Sequence, residues 1–321
     1  MNQMASITVV IPCYNAEYNI DKCIKSLIDQ TYNNFEVIFV DDASTDGTVE
    51  VLKYYIQQSG LNAKIIRNDI NCGPAVSRNK GIQEAQTEYI TFCDSDDWYD
   101  VDFLFRMKKE LDTNNSELVL CGYNVVNEKE KRQRRPISDV NRTVDFFDAV
   151  NLESDSLCML MVRTAIMKET LLPNIRNGED VAVVPLLMSK SNGISIISDC
   201  LYYYYRREDS ASQKPTMKVV ESIIESFNYT KEHFPVGLET QLEYLGIKNM
   251  LYSTLITLFA FSYDTEKANA ILDDFESCFP NWKKNNGLSR LPIYKKIILD
   301  LAKKRCFLCI KIIAKLRTIL I

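Results

Sequence analysis

Along the first hundred residues, short apolar runs alternate with segments whose apolar positions recur three and four apart. Residues 7–11 form a β-branched run, and residues 35–40, 63–66 and 88–93 repeat the pattern. Runs of this length suit strands buried on both faces. Between the first two runs, Ile20, Ile24, Leu27 and Ile28 recur at helical spacing. Val49, Leu52 and Ile56 do the same behind Asp46, a residue type that caps helices. Pro74 suits a first helical turn, and that helix is expected to reach about Ala85. The alternation predicts an α/β fold with a mostly parallel, Rossmann-like sheet covered by helices. Further along, residues 118–121 predict a fifth strand, 127–142 a loop or exposed hairpin, and 157–162 another apolar run. Residues 179–188 predict a helix opened by Gly178, and residues 202–205 a strand. From about Pro215 helical periodicity takes over, which places a boundary near residue 212. One domain is expected over residues 1–212 and a helical C-terminal extension over 213–321.

Composition changes this picture little. A chain of 321 residues, 46% hydrophobic and 25% charged, can bury a core without disulfides. The net charge of −5 carries no nucleic-acid signature. Cys93, Cys121 and Cys158 sit inside apolar runs and read as small buried hydrophobes. Cys306 and Cys309 form a C-x-x-C without the further ligands a zinc site needs. A reducing, cytoplasmic location is expected. Pro12 ends the first apolar run too early for a signal segment, and no run reaches the ~18 apolar residues of a membrane span.

Two acidic clusters directly follow strands. Asp94, Ser95, Asp96 and Asp97 crowd carboxylates that repel unless a cation or water relieves them, which suits a hard divalent ion. A solvated acidic turn explains the cluster alone equally well. Asp41 and Asp42 close the second strand. A carboxylate there can accept from a nucleobase N–H or a ribose hydroxyl, although Asp46 and Gly47 already account for a cap and turn. Ligands of parallel sheets bind beyond the carboxyl ends of the strands, so the two clusters are expected to converge. Arg78 and Lys80 follow the turn at Gly73; Arg78 either meets a base or phosphate or is solvated. Glu179 and Asp180 open a helix, where a carboxylate compensates the dipole or serves as a general base. The lone histidine, His233, reads as a solvated helix-end residue.

Taken in chain order, residues 10–17 (Val-Ile-Pro-Cys-Tyr-Asn-Ala-Glu), residues 40–48 (Val-Asp-Asp-Ala-Ser-Thr-Asp-Gly-Thr), Asn71 and Gly73 with residues 77–81, residues 92–97 and residues 178–180 resemble the motifs of glycosyltransferase family 2 enzymes of the GT-A fold. Tyr204, Tyr205 and Arg206, followed by Ser210, resemble a later family segment, and the likeness covers roughly residues 6–212. The resemblance implies a metal-dependent, inverting transferase of hexosyltransferase type. It would move one sugar from a nucleoside-diphosphate sugar, UDP-linked by default, to a hydroxyl of a glycan or lipid-linked acceptor in surface polysaccharide biosynthesis. Pro12 and Tyr14 would lie beside the nucleotide. Asp41 would hold the base with Asp42 close by, Arg78 and Ser95 would contact the nucleotide sugar, and Asp94 would face the ribose. Asp96 would bind Mn2+ or Mg2+. Asp97, Trp98 and Glu179 would border the acceptor, and Asp180 would be the base.

Two departures qualify the likeness. Family members often carry an aromatic or basic residue before the stretch that ends at Val162 and Arg163; here residues 157–163 read Leu-Cys-Met-Leu-Met-Val-Arg, with neither type ahead of Val162. No Q-x-x-R-W segment exists, since the tryptophans are Trp98 and Trp282, so one sugar per encounter is expected. A rival reading is a catalytically silent subunit of a glycan-assembly complex; the retained Asp94, Asp96 and Asp180 favour activity. A sugar nucleotidyltransferase would want a glycine-rich, basic loop after the first strand, and residues 12–15 (Pro-Cys-Tyr-Asn) supply neither feature.

The last residues are strongly basic: Lys295, Lys296, Lys303, Lys304, Arg305, Lys311, Lys315 and Arg317 against Asp300. Tyr294, Ile298, Leu301, Leu308, Ile312, Leu316 and Ile319 recur at helical spacing, interrupted by Arg305. Such a helix either lies peripherally on the inner face of an anionic membrane or packs its stripe on the preceding helices.

Overall fold

The computed structural model describes residues 5–129, 132–152, 155–175, 178–206 and 215–320, the last three without their side chains. The boundary expected near residue 212 and Ser210 lie outside the described residues. The chain forms two compact units: Met1–Asp145 with Leu152–Asn174 and Lys190–Ser210, and Phe146–Asn151 with Ile175–Ser189 and Ala211–Ile321.

The first unit is built on one sheet. Strands β1 (Ile7–Cys13), β2 (Phe35–Asp41), β3 (Ala63–Arg67) and β4 (Tyr89–Phe92) run parallel in the order β3-β2-β1-β4. In β1, only Pro12 is not fully buried, as a strand covered on both faces requires. The edge strand β3 is more open, which is why its sequence tolerates Lys64 and Arg67. Beyond β4 the sheet continues through β9 (Leu160–Arg163), β6 (Leu118–Asn127), β10 (Ile194–Arg206) and β5 (Trp98–Tyr99). Pairing is antiparallel at β4–β9, β9–β6 and β10–β5, and parallel at β6–β10. Of the loop or exposed hairpin expected over 127–142, the hairpin is what forms: strand β7 (Arg132–Arg135) pairs antiparallel with β6, and β8 (Arg142–Val144) pairs with β10. The apolar run at 157–162 splits into a single 3-10 turn, Leu157–Met159, and β9.

Helices α1 (Ile20–Ile28), α2 (Thr48–Ser59), α3 (Pro74–Glu84), α4 (Phe103–Asn114) and α6 (Thr164–Lys168) belong to this unit. Gly73, at φ +88°, makes the turn into α3, and Pro74 opens the helix. Gly81 lets α3 press onto β1, because a Cβ there would lie 2.4 Å from Val10 Cγ1.

The second unit is helical: α5 (Phe146–Asn151), α7 (Glu179–Lys190), α8 (Met217–His233), α9 (Glu239–Gly246), α10 (Thr254–Phe261), α11 (Thr265–Cys278), α12 (Ile293–Lys303) and α13 (Phe307–Leu320). A π-helical stretch, Ile247–Ser253, joins α9 to α10. Phe227, Tyr244, Phe259, Phe275 and Trp282 fill its core. The basic tail is two helices rather than one stripe, parted at Arg305, whose φ is +55°. The break divides the apolar positions: Ile298, Ile310 and Ala314 turn inward, while Leu308, Ile312 and Leu316 stay exposed. All ten cysteines are free, and Cys93, Cys121 and Cys158 are buried as their surroundings predicted.

Candidate functional site

From β1 the chain steps outward to β2 and β3, then returns to β4 on the other side of β1. At such a reversal the connecting loops part at the carboxyl ends of the strands and leave a crevice. Cys13, the last residue of β1, pairs in register with Asp41 of β2. Burial pushes the Cys13 thiol up, and the charges of Cys23, Asp41 and Asp94 push it further. Because β1 pairs in parallel with β2 on one side and with β4 on the other, Asp41 and the turn that begins at Asp94 lie at the same carboxyl-end edge of the sheet, on either side of β1.

Asp41 is 0% exposed. Its Oδ2 accepts from the Ser44 backbone N–H at 3.3 Å and meets Arg67 Nε at 3.2 Å. Arg67 reaches it because the two residues are register partners across β2 and β3. Oδ1 of Asp41 has no hydrogen-bond partner among the described residues. Asp42 is the opposite case. Its carboxylate accepts from Asn68 Nδ2 at 2.7 Å, Cys72 N at 3.0 Å and Gly73 N at 2.7 Å, clamping the end of β2 to the loop before α3.

Pro12 is half-buried and Tyr14 is exposed at the mouth of this crevice. The loop carrying Tyr14 is stapled to the loop after β2. Asn15 N donates to Ser44 Oγ, Ala16 N to Thr48 Oγ1 and Glu17 N to Asp46 Oδ2; Thr45 N and Gly47 N return bonds to Asn15 Oδ1 and Glu17 Oε2. Burial raises the Asp46 carboxyl, but hydrogen bonds from Thr48 and the Glu17 N–H outweigh it and hold it below its usual range. Asn15 and Ala43 both adopt positive φ, +47° and +60°, to make these turns.

On the other side, Arg78 of α3 is buried and donates from Nη2 to Asp94 Oδ1 at 2.7 Å. Asp94, Ser95 and Asp96 are half-exposed on the turn after β4. Asp97 is not: it is 2% exposed, accepting from the Tyr202 hydroxyl and, at 2.7 Å, from Tyr205 N. Its carboxyl is pushed well up by burial first, then by the charges of Asp94 and Asp96, against the pull of those two bonds. Asp97 thus ties the acidic turn to β10 rather than facing outward. Trp98, directly after it, stacks on Tyr203 with ring centroids 5.4 Å apart.

Glu179 and Asp180 stand in the first turn of α7, in the helical unit. Glu179 Oε2 accepts from Gly178 N at 3.1 Å, while Asp180 is half-exposed. Ser226 and Thr230 of α8 donate to the carbonyls of Gly178 and Ala182 at 2.9 and 2.8 Å, fixing the start of α7.

Among the described residues no group of three or more His, Cys, Asp or Glu is disposed to hold a metal. The donors at Asp94 and Asp96 still fit a hard divalent ion of the kind held by one or two carboxylates and completed by phosphate oxygens. The residues the sequence did not reveal are Asn68, Arg67 and Tyr202. Only Arg67 left a trace, as the sole charge closing the third strand opposite Asp41.

Residues 8–175 match the family model described as glycosyl transferase family 2. The chain is 27% identical over 236 residues to the glycosyltransferase GlyA of Streptococcus pneumoniae serotype 4, covering 69% of this chain and 34% of that protein. It is 31% identical over 209 residues to the poly(ribitol-phosphate) beta-glucosyltransferase of Bacillus spizizenii, covering 63% and 32%. The chain thus spans about a third of the length of these curated relatives. The crystal structure of S. aureus TarS 1-349 in complex with UDP superposes with a TM-score of 0.72 at 21% identity, covering 97% of this chain and 90% of that one. The likeness is one of fold, and it makes the α/β sheet with its helical C-terminal region a GT-A architecture.

Proposed function

Because the chain belongs to glycosyl transferase family 2, we propose that it moves one sugar per encounter from a UDP-sugar to a hydroxyl of a glycan or lipid-linked acceptor, with inversion, in surface polysaccharide assembly. The observation that carries this reading is the pairing of a buried carboxylate with an unpartnered oxygen, Asp41, and a half-exposed acidic turn, Asp94 to Asp96, on either side of β1. Asp41 Oδ1 is an acceptor awaiting a donor, such as the imide N–H of a uracil. The TarS structure with UDP supports that choice of nucleotide, and the poly(ribitol-phosphate) relative supports the polysaccharide context.

In this reading Pro12 and Tyr14 wall the nucleotide, and Arg78 sets Asp94 toward the ribose while lending positive charge near the diphosphate, with Ser95 beside it. Asp96 would hold a divalent Mn2+ or Mg2+, which supplies charge neutralisation at the leaving diphosphate. Asp42 and Asp97 act by position, each holding a loop that bears a contacting residue. Asp180 takes the proton of the acceptor hydroxyl. That oxygen bonds to the anomeric carbon as the bond to the diphosphate oxygen breaks, and the electron pair leaves with the nucleotide. Glu179 and Trp98 border the acceptor.

Release of UDP, and not pyrophosphate, from a panel of UDP-sugars with acceptor tests the reaction. Asp180→Asn and Asp96→Ala should each cut turnover by about a hundredfold or more. Near-wild-type transfer by either variant removes the role assigned to that residue.

No helix among the described residues is long and apolar enough to cross a membrane. Leu308, Ile312 and Leu316 on α13, and Ile293, Tyr294 and Ile297 on α12, are nonetheless exposed beside lysines. This favours peripheral contact with an anionic lipid surface, where buried apolar area and basic charge act together. Truncating the tail would remove the buried Ile298, Ile310 and Ala314 and confound the test. Leu308→Ser with Ile312→Ser and Leu316→Ser spares them, and undiminished pelleting of this variant with anionic vesicles rules the contact out.

A further inference from the structure

A row of rings and cations crosses the sheet next to the acidic turn. Arg132 of β7 lies over the ring of Tyr203, its Cζ 4.9 Å from the centroid. Tyr203 of β10 stacks on Trp98 of β5 at 5.4 Å and 12°. Lys22 of α1 lies over Trp98 at 4.9 Å and over Tyr205 at 6.0 Å. The order follows from strand pairing: β7, β6, β10 and β5 are neighbours, and side chains two apart share a face. Arg134 therefore stands on the same face as Arg132. The row spans three strand spacings, roughly 14 Å, before α1 is reached.

Arg132 is pre-aimed, because its Nε donates to Asn124 Oδ1 at 2.8 Å while its plane covers Tyr203. Arg132 and Arg134 are exposed, and neither pairs with a carboxylate among the described residues. Asp100 takes the Tyr203 hydroxyl at 3.3 Å at the rim. Trp98 lines a cavity of about 410 Å³ together with Lys22, Lys25, Ser26, Asp29, Tyr99 and Val101; sites for small ligands usually hold about 300–1,000 Å³. Cations at both ends, with ring edges between them, match a chain whose anions are spaced apart by sugar or polyol units. A neutral glycan would leave the two arginines without a role, and a compact anion would engage only one end.

We propose that this row binds the acceptor, and that the acceptor is an anionic glycan chain laid from Arg132 and Arg134 across Tyr203 and Trp98 toward Lys22. Trp98 follows Asp97 directly, so a chain on the row passes the turn assigned to the sugar donor. The inference rests on the transferase reading and names the acceptor class for it.

The test is binding of the full chain to three immobilised polymers: poly(ribitol phosphate), polygalacturonate and neutral dextran. One or both anionic polymers bind and dextran does not; which one binds tells phosphodiester from carboxylate recognition. Arg132→Ala with Arg134→Ala weakens anionic binding by at least about tenfold. The charge-keeping pair Arg132→Lys with Arg134→Lys restores most of it, which loss of folding would not allow. In transfer assays the alanine pair raises KM for the polymer and leaves KM for the nucleotide sugar within about twofold. Equal binding of dextran, or unchanged polymer binding by the alanine pair, overturns the proposal. Failure of every UDP-sugar to react in the wild type defeats the transferase reading, and the polymer binding is scored separately from it.

Discussion

Replacing Asp42 separates a nucleotide contact from a structural clamp. Its two oxygens serve three donors, Asn68 Nδ2, Cys72 N and Gly73 N, and only 3% of the residue is exposed. A hydrogen bond to a charged group is worth about 1.5–3 kcal/mol. Cys72 and Gly73 are only half-buried, so water recovers part of their loss. Asp42→Ala should therefore cost about 3 kcal/mol, a large share of the roughly 5–15 kcal/mol by which a domain is stable. Asp42→Asn keeps one oxygen but turns an NH2 group toward a backbone N–H, and should cost about 2 kcal/mol. In urea, with a slope of about 2–3 kcal/mol/M, the midpoint should fall by about 1 M for the alanine variant and rather less for the asparagine variant. The donor KM of the folded asparagine variant should rise by no more than about threefold, as the loop before α3 loosens. An unchanged urea midpoint together with a tenfold rise in donor KM would refute the clamp and return Asp42 to the nucleotide.

Ala43→Gly should stabilise by about 0.5 kcal/mol, read as a higher urea midpoint, because φ of +60° strains an alanine by more than glycine's added freedom costs in the unfolded chain. Gly81→Ala should destabilise by about 2 kcal/mol, since the new methyl meets Val10 Cγ1 at 2.4 Å; adding Val10→Ala should recover part of that loss, and an additive double mutant would contradict the contact. Tyr202→Phe should lower stability by about 2 kcal/mol by removing the hydroxyl from the buried Asp97, and should slow transfer because the acidic turn is held less firmly; a variant as stable as wild type would show that Asp97 does not depend on that bond. Arg78→Met should raise donor KM by about tenfold, measured in the transfer assay, while preserving most of the packing of α3.

The sheet was legible because its strands are buried runs and its helices have one apolar face, both local periodicities. The first four strands, and the carboxylates that follow the second and fourth, come from that reading and from the rule that parallel strands bind ligands at their carboxyl ends. The antiparallel insertion of β9 between β4 and β6 was not legible, since partner choice depends on which edges remain free once the parallel block has formed. The basic tail was read as one helix with its stripe interrupted at Arg305; that the interruption is a positive-φ break between two helices is a backbone feature that periodicity does not register.

Neighbouring aspartates of one residue type look alike in a sequence, and tertiary contact alone told them apart. Asp41 keeps an unpartnered oxygen because Arg67 and the Ser44 N–H engage only the other one, whereas Asp42 is consumed by a loop some thirty residues away. Asp96 stays half-exposed, whereas Asp97 is drawn under β10 by Tyr202 and Tyr205, more than a hundred residues on. Residue type and strand position determined where carboxylates gather. Which of them remain available for chemistry was decided by donors distant in sequence, because a buried charge must find its hydrogen bonds wherever the fold supplies them.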